Sequence, residues 1–216
     1  MEIKVIRNIL EGNERSAANV RDFCLQRQLF LVNVMGAPGA GKTSFIQSMI
    51  RQANRKTYVI EGDIASTIDA EKIASMGASV IQINTGGACH LIAQTIIEAL
   101  NTLDPAPRSW VFIENIGNLV CPAAFDLGES LRVLVSSVAE GDDKPFKYPD
   151  MFMRAGLIVL SKADVKEVIG FDSERYINGV RALDANTPLM EVSFRTGSGE
   201  KEIVTWLQEK MEQCIA

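Results

Sequence analysis

Long apolar runs are missing from this chain of 216 residues. No stretch reaches the roughly 18 residues of a membrane-crossing helix, which excludes insertion into a bilayer by that route. An excess of positive charge is missing too. With 22 basic and 27 acidic residues the net charge is −5, a poor match to the phosphate neutralisation on which non-specific nucleic-acid binding depends. Cysteine is scarce, four residues with no paired spacing, so a disulfide framework is excluded and reduced thiols are expected. The opening MEIKVIRNILEGNER lacks the basic-then-apolar order of a secretion signal, and a cytoplasmic protein is expected. Repeats and low-complexity segments are absent. Histidine occurs once, as His90.

What is present suits one globular domain. The apolar share is 47%, enough for a core at this length. Short β-branched apolar runs at 29–36, 57–63, 79–84, 110–115, 131–138, 156–162 and 189–193 read as strands buried on both faces. Helical stretches such as KTSFIQSMIRQAN, STIDAEKIASMG and HLIAQTIIEALNTL separate them, and EKEIVTWLQEKMEQCIA closes the chain as an amphipathic helix. This alternation predicts an α/β fold with a mostly parallel sheet and helices on both faces. Residues 1–27 read as a helical N-terminal extension whose simplest role is packing, and 28–216 as the main domain.

One loop carries strong chemistry. Gly36-Ala-Pro-Gly-Ala-Gly-Lys-Thr43 matches the phosphate-loop pattern, between a strand and a helix as the motif requires. Its glycines turn backbone N–H groups towards phosphate oxygens, and the helix N-terminus adds partial positive charge. Gly36, Gly39, Ala40, Gly41, Lys42, Thr43 and Ser44 form the expected nucleotide-binding set, with Lys42 on the β/γ-phosphates and Thr43 on Mg²⁺. The domain is therefore expected to be a P-loop NTPase.

Later, an apolar strand ends in Ser161-Lys162-Ala163-Asp164. This resembles the NKxD element of GTPases, with Ser in place of the usual Asn. Asp164 would accept the N1 and N2 protons of guanine, a pair adenine lacks, so GTP/GDP is favoured over adenine nucleotides; Lys162 would lie along the base. The polar loop 193–199 has the position of a second base loop. Acids at or just after strand ends supply further candidates: Asp69 and Glu114 for magnesium, and Asp63 for orienting the attacking water, with Lys42 as its catalytic companion. Gly117 could bring its N–H to the γ-phosphate.

The single histidine follows Cys89 in NTGGACHLIAQ, and Cys121 lies four residues beyond Gly117. Loops at the carboxyl ends of parallel strands gather on one edge, where the nucleotide also binds, so Cys89, His90 and Cys121 can meet there. Two thiolates and an imidazole suit Zn²⁺ or Ni²⁺. Three ligands leave a tetrahedron one short, to be filled by water or a second subunit. On spacing alone, a buried thiol and an unrelated histidine remain the alternative.

Taken together, GAPGAGKT, EGDIASTIDAEKI, QINTGGACHLIA, FIENIGNLVCPAAFDLGE and EGDDKPFKYPDMF resemble the HypB family, the nickel-handling GTPases of hydrogenase maturation in the SIMIBI class, in order over roughly residues 28–200. The resemblance implies a slowly hydrolysing regulatory GTPase. Its GTP state would favour a homodimer. It would deliver Ni²⁺ for nickel–iron hydrogenase, working with a nickel-carrier accessory protein on the hydrogenase large-subunit precursor. Cys89, His90 and Cys121 match the family's metal ligands at the dimer interface. Asp69 and Glu114 match its magnesium acids. Lys147 matches a lysine that reaches the partner's nucleotide. The chain lacks the N-terminal cysteine motif and histidine-rich run of several members, so with one histidine it is not a nickel store. A metal-independent GTP switch, and a nickel GTPase serving another enzyme such as urease, stay as alternatives.

Overall fold

The computed structural model describes residues 4–53, 55–63 and 68–215, with side chains from 11–53, 55–62 and 70–215. Seven strands form one sheet: β1 (Phe30–Met35), β2 (Thr57–Asp63), β3 (Ser79–Asn84), β4 (Trp110–Glu114), β5 (Leu131–Ser137), β6 (Leu157–Ser161) and β7 (Leu189–Glu191). Their order is β3-β2-β4-β1-β5-β6-β7, and every pairing is parallel. The helices are α1 (Lys4–Arg27), α2 (Lys42–Gln52), α3 (Ile68–Ser75), α4 (Ala93–Leu103), α5 (Cys121–Ala124), α6 (Lys144–Lys147), α7 (Pro149–Met153), α8 (Lys166–Ile169), α9 (Ser173–Leu183) and α10 (Glu200–Ile215). Among the described residues no helix is long and apolar enough to cross a membrane.

The continuous apolar runs are explained by a sheet covered on both faces, because successive side chains in a strand point opposite ways. From β1, Phe30, Val32 and Val34 enter one core with Phe45 and Met49 of α2 and Leu207 of α10. Leu31, between them, enters the other with Val20 of α1 and Ile96 and Leu100 of α4. β4 divides the same way, Trp110 and Phe112 against Val111 and Ile113. Each such side chain contributes about 1.5–3 kcal/mol when fully buried. Helix α1 is thus part of the second core. It lies so close to Gly128 that a Cβ there would sit 2.5 Å from the Ala17 carbonyl oxygen.

β1 has β4 on one side and β5 on the other, so the chain's direction of progress across the sheet reverses there. The crevice beyond the carboxyl ends of strands at such a reversal is where open α/β sheets bind ligands. The loops after β1, β3, β4 and β6 all open onto that edge.

Candidate nucleotide and metal site

The loop after β1 is shaped by what surrounds it. Gly36 has φ +150, and a Cβ there would lie 2.2 Å from the Val135 carbonyl oxygen of β5; only hydrogen fits. Gly41, at φ +104, turns the chain into α2. Lys42, only 7% exposed, donates to the carbonyls of Gly36 (3.3 Å) and Ala37 (3.1 Å). Thr43 Oγ1 donates to Glu114 Oε1 at 2.7 Å. Lys162 Nζ donates to the Gly39 carbonyl at 2.9 Å. These groups border a cavity of about 550 Å³ whose lining also includes Ser44, Asn115 and Gly117. Gly117 packs on the loop itself, since a Cβ would be 3.0 Å from the Pro38 nitrogen.

Glu61 lines the same cavity and stands beside Glu114 in the parallel register. Both are buried. Two buried carboxylates side by side are accommodated by a nearby cation or by a proton held between them. The sequence reading passed over Glu61; its signal was a carboxylate in an otherwise apolar strand, near the strand tip.

A second recess, about 450 Å³, adjoins the first and is lined by Gly41, Ser161, Lys162, Asp164, Phe194 and Arg195. The fully buried Ser161 donates from Oγ to the Ala40 carbonyl at 2.5 Å. The residue that departs from the usual Asn therefore braces the phosphate loop directly. Asp164 accepts from Ser193 Oγ (2.6 Å) and Arg195 Nε (2.8 Å). Those bonds, Ser193 first, hold its carboxyl below the usual range. The loop 193–199 thus orients the acid, and each carboxylate oxygen keeps a further lone pair for a ligand.

At the same edge, the ligand atoms of Cys89, His90 and Cys121 all lie within 4.8 Å of one another. Cys89 Sγ is 3.5 Å from His90 Nδ1, and the imidazole stacks on Phe125 with centroids 3.7 Å apart and planes at 16°. The thiol of Cys89 is pushed up, chiefly by its hydrogen bond with Cys121. Burial lowers the His90 pKa, which keeps the imidazole neutral and able to donate a lone pair. Two thiols and a neutral imidazole from one chain fit a divalent borderline metal once the thiol protons leave. The loops meet because α4 starts where it does: the Ala93 N–H at its head donates to Asn13 Oδ1 of α1 at 2.9 Å. Asn13 also donates to the Asp126 carbonyl at 2.7 Å, tying the two metal-loop segments to one helix.

The family described as "CobW/HypB/UreG, nucleotide-binding domain" matches residues 30–191. The chain is 43% identical to the hydrogenase maturation factor HypB of Rhizobium leguminosarum bv. viciae, covering 95% of this chain and 70% of that one. The chain belongs to the HypB family. The hydrogenase/urease maturation factor HypB of Helicobacter hepaticus is 39% identical, over 98% of this chain and 87% of its own. The crystal structure of HypB from Helicobacter pylori in complex with nickel superimposes with a TM-score of 0.88 at 34% identity, covering 94% of this chain and 96% of that one.

Three further candidate residues fall as follows. Asp63 ends β2 and Asp69 lies in the first turn of α3; their side chains lie outside those described. Lys147 ends α6 and is exposed, paired to Asp143 one turn back. Asp143 also meets Lys144 at 3.2 Å. That pairing raises the Lys147 pKa and lowers that of Asp143. A Lys147 that reaches another subunit must first leave Asp143.

Proposed function

We propose that this chain is a GTP-binding, slowly GTP-hydrolysing regulator that carries or delivers nickel during maturation of nickel–iron hydrogenase. The observation that carries this is the meeting of Cys89, His90 and Cys121 within 4.8 Å on the sheet edge that also holds the phosphate loop. The names of its relatives supply the client; the residues supply the chemistry.

Lys42 would exchange its two carbonyl partners for the β/γ-phosphates, with the backbone N–H groups of 39–44 around them. Thr43 and Glu114, already hydrogen-bonded, and Asp69 would hold Mg²⁺, whose chemistry there is neutralisation of phosphate charge. Asp164 would read guanine, with Lys162 along the base. Asp63 would orient the attacking water. Nickel is cargo, with Zn²⁺ its competitor for the same thiolates. Release needs an incomplete ligand set, and three ligands from one chain provide one. A homodimer favoured by GTP would complete or close that set and bring Lys147 to the partner's nucleotide. The nickel would come from an accessory carrier and go to the hydrogenase large-subunit precursor in the cytoplasm.

The test is a titration of the purified chain with Ni²⁺ and Zn²⁺ in GDP and in a non-hydrolysable GTP analogue, following thiolate absorbance and molecular mass together. Thiolate-bound metal whose affinity or stoichiometry follows the nucleotide supports the reading. No metal binding in either state would leave a GTP-driven assembly factor without a nickel task. The Helicobacter hepaticus relative is named for urease as well as hydrogenase, so a second client is tested by reconstitution with each apoenzyme.

A further inference from the structure

We propose that Asn118 is a positioning residue that ties the metal loop to the phosphate loop, so that nucleotide state reaches Cys89 as well as Cys121. The proposal rests on the metal-site reading above and names the residue that couples its two halves.

Three bonds converge on this one residue. Its backbone N–H donates to the Gly36 carbonyl at 3.2 Å, the same carbonyl that accepts from Lys42. Its side-chain Oδ1 accepts from the N–H of Val120 at 2.8 Å, the residue that leads into Cys121. Its Nδ2 donates to the Cys89 carbonyl at 3.3 Å. The amide's orientation follows from chemistry. A peptide N–H can only donate and a carbonyl only accept, so oxygen must face Val120 and nitrogen must face Cys89.

The mechanical consequence follows from the neighbours. Gly117 packs against Pro38, where a Cβ would crowd the ring and backbone at 3.0 Å, so residues 117–118 lie directly on the phosphate loop. When phosphate draws Lys42 off the Gly36 carbonyl, the Asn118 N–H can pivot on that oxygen. Any approach of Gly117 to a γ-phosphate carries Asn118 along. Through Oδ1 and Nδ2 it then carries the lead into Cys121 and the backbone of Cys89 as a unit. The receiving loop can follow. Gly86 and Gly87 sit at φ +59 and +94 with nothing within 4 Å of a built Cβ. Coupling between two sites can be carried by a chain of hydrogen bonds and packed side chains, and here that chain is one residue long.

The two roles of the side chain can be separated. Asn118→Ala removes both side-chain bonds. Asn118→Asp keeps an acceptor for Val120 but offers no donor to Cys89, and both variants keep the backbone bond to Gly36. The full chain is titrated with Ni²⁺ in GDP and in a non-hydrolysable GTP analogue, reading the thiolate-to-nickel absorbance, with nucleotide affinity and denaturation midpoint measured alongside. In the unsubstituted protein the nickel affinities of the two states should differ about tenfold. In both variants nickel should still bind through thiolates, while the ratio falls to within about twofold of unity. A ratio retained by Asn118→Asp overturns the proposal, since the turn at Val120 would then be the whole role. So does equal nickel affinity in the two states of the unsubstituted protein, which leaves the metal reading intact. Absence of thiolate absorbance altogether removes the metal reading first.

Discussion

The phosphate loop and the metal loop share one edge of the sheet but are held in opposite ways. The phosphate loop is held at both ends, Gly36 against the Val135 carbonyl, Ala40 under the buried Ser161 hydroxyl and Lys42 folded onto the Gly36 and Ala37 carbonyls, while its tip at Pro38 and Gly39 is exposed. The metal loop runs through Gly86, Gly87, Ala88 and Cys89, all exposed, and is pinned by the Asn118 amide and by the stacking of His90 on Phe125. The difference has a physical logic. A site that distinguishes two nucleotides by one phosphate must be preorganised. A site that takes up and gives up a metal must be able to rearrange its ligands. Rigidity belongs to the sensor and compliance to the cargo.

Glycine substitutions break this comparison most sharply. Gly36→Ala drives a methyl group into a β5 carbonyl that cannot retreat without moving the sheet. A loss of about 3 kcal/mol in stability is expected from overpacking of this severity, together with loss of nucleotide binding. Gly87→Ala meets no neighbour and should cost only about 1 kcal/mol, the penalty for a side chain at positive φ. Urea denaturation of the two variants checks the ratio. Equal costs would mean that the metal loop is as constrained as the phosphate loop.

Ser161→Ala tests the lock at its buried hydrogen bond. The Ala40 carbonyl would lose its hydroxyl donor inside the protein, at a cost of about 1–3 kcal/mol. Because Ala40 lies in the phosphate loop, GDP affinity should fall with stability, while nickel affinity without nucleotide should stay unchanged. Isothermal titration with each ligand separates the two. A parallel fall in nickel affinity would show that the Asn118 link sets the resting geometry of the metal loop as well as its response to nucleotide.

Much of this was legible in the sequence, for a definable reason. All seven strands lie within the apolar runs, because a parallel sheet covered on both faces needs no partner to be recognised. The phosphate loop was legible because its chemistry is local: eight consecutive residues carry it. The bonds that distinguish the two loops were not legible, because they join residues far apart in sequence. Ser161 meets Ala40 across 121 positions and Asn118 meets Cys89 across 29. From its motif alone Ser161 was only a Ser in place of the usual Asn; its position fully inside the protein turns it into a brace. Gly128 gave no sign of its reason until α1 was seen to lie against it. The meeting of Cys89, His90 and Cys121 was a matter of topology. It could be anticipated only once strands β3 and β4 were placed in one sheet.

The smallest expected effect bears on the compliant side. Stacking on Phe125 orders the His90 ring, and burial depresses its pKa. An imidazole so depressed is neutral at neutral pH and limits nickel binding only in more acidic solution. The thiols limit it first, because the Cys89 pKa is raised and its proton must leave for metal to bind. Nickel affinity should therefore climb with pH on approach to the thiol range, by about tenfold per unit for each proton released. Phe125→Leu removes a ring contact of about 0.5–1.5 kcal/mol and uncovers the imidazole, returning its pKa towards the ordinary value of about 6.5. The loss of affinity from protonation should then be less than about twofold near neutrality, growing to at most about fourfold as the pH falls towards about 6, with the thiol-controlled rise left in place. Thiolate-to-nickel absorbance against pH reads both limbs in one experiment. A Phe125→Leu curve that matches the unsubstituted protein at every pH would take His90 out of the ligand set and leave two thiols to hold the metal.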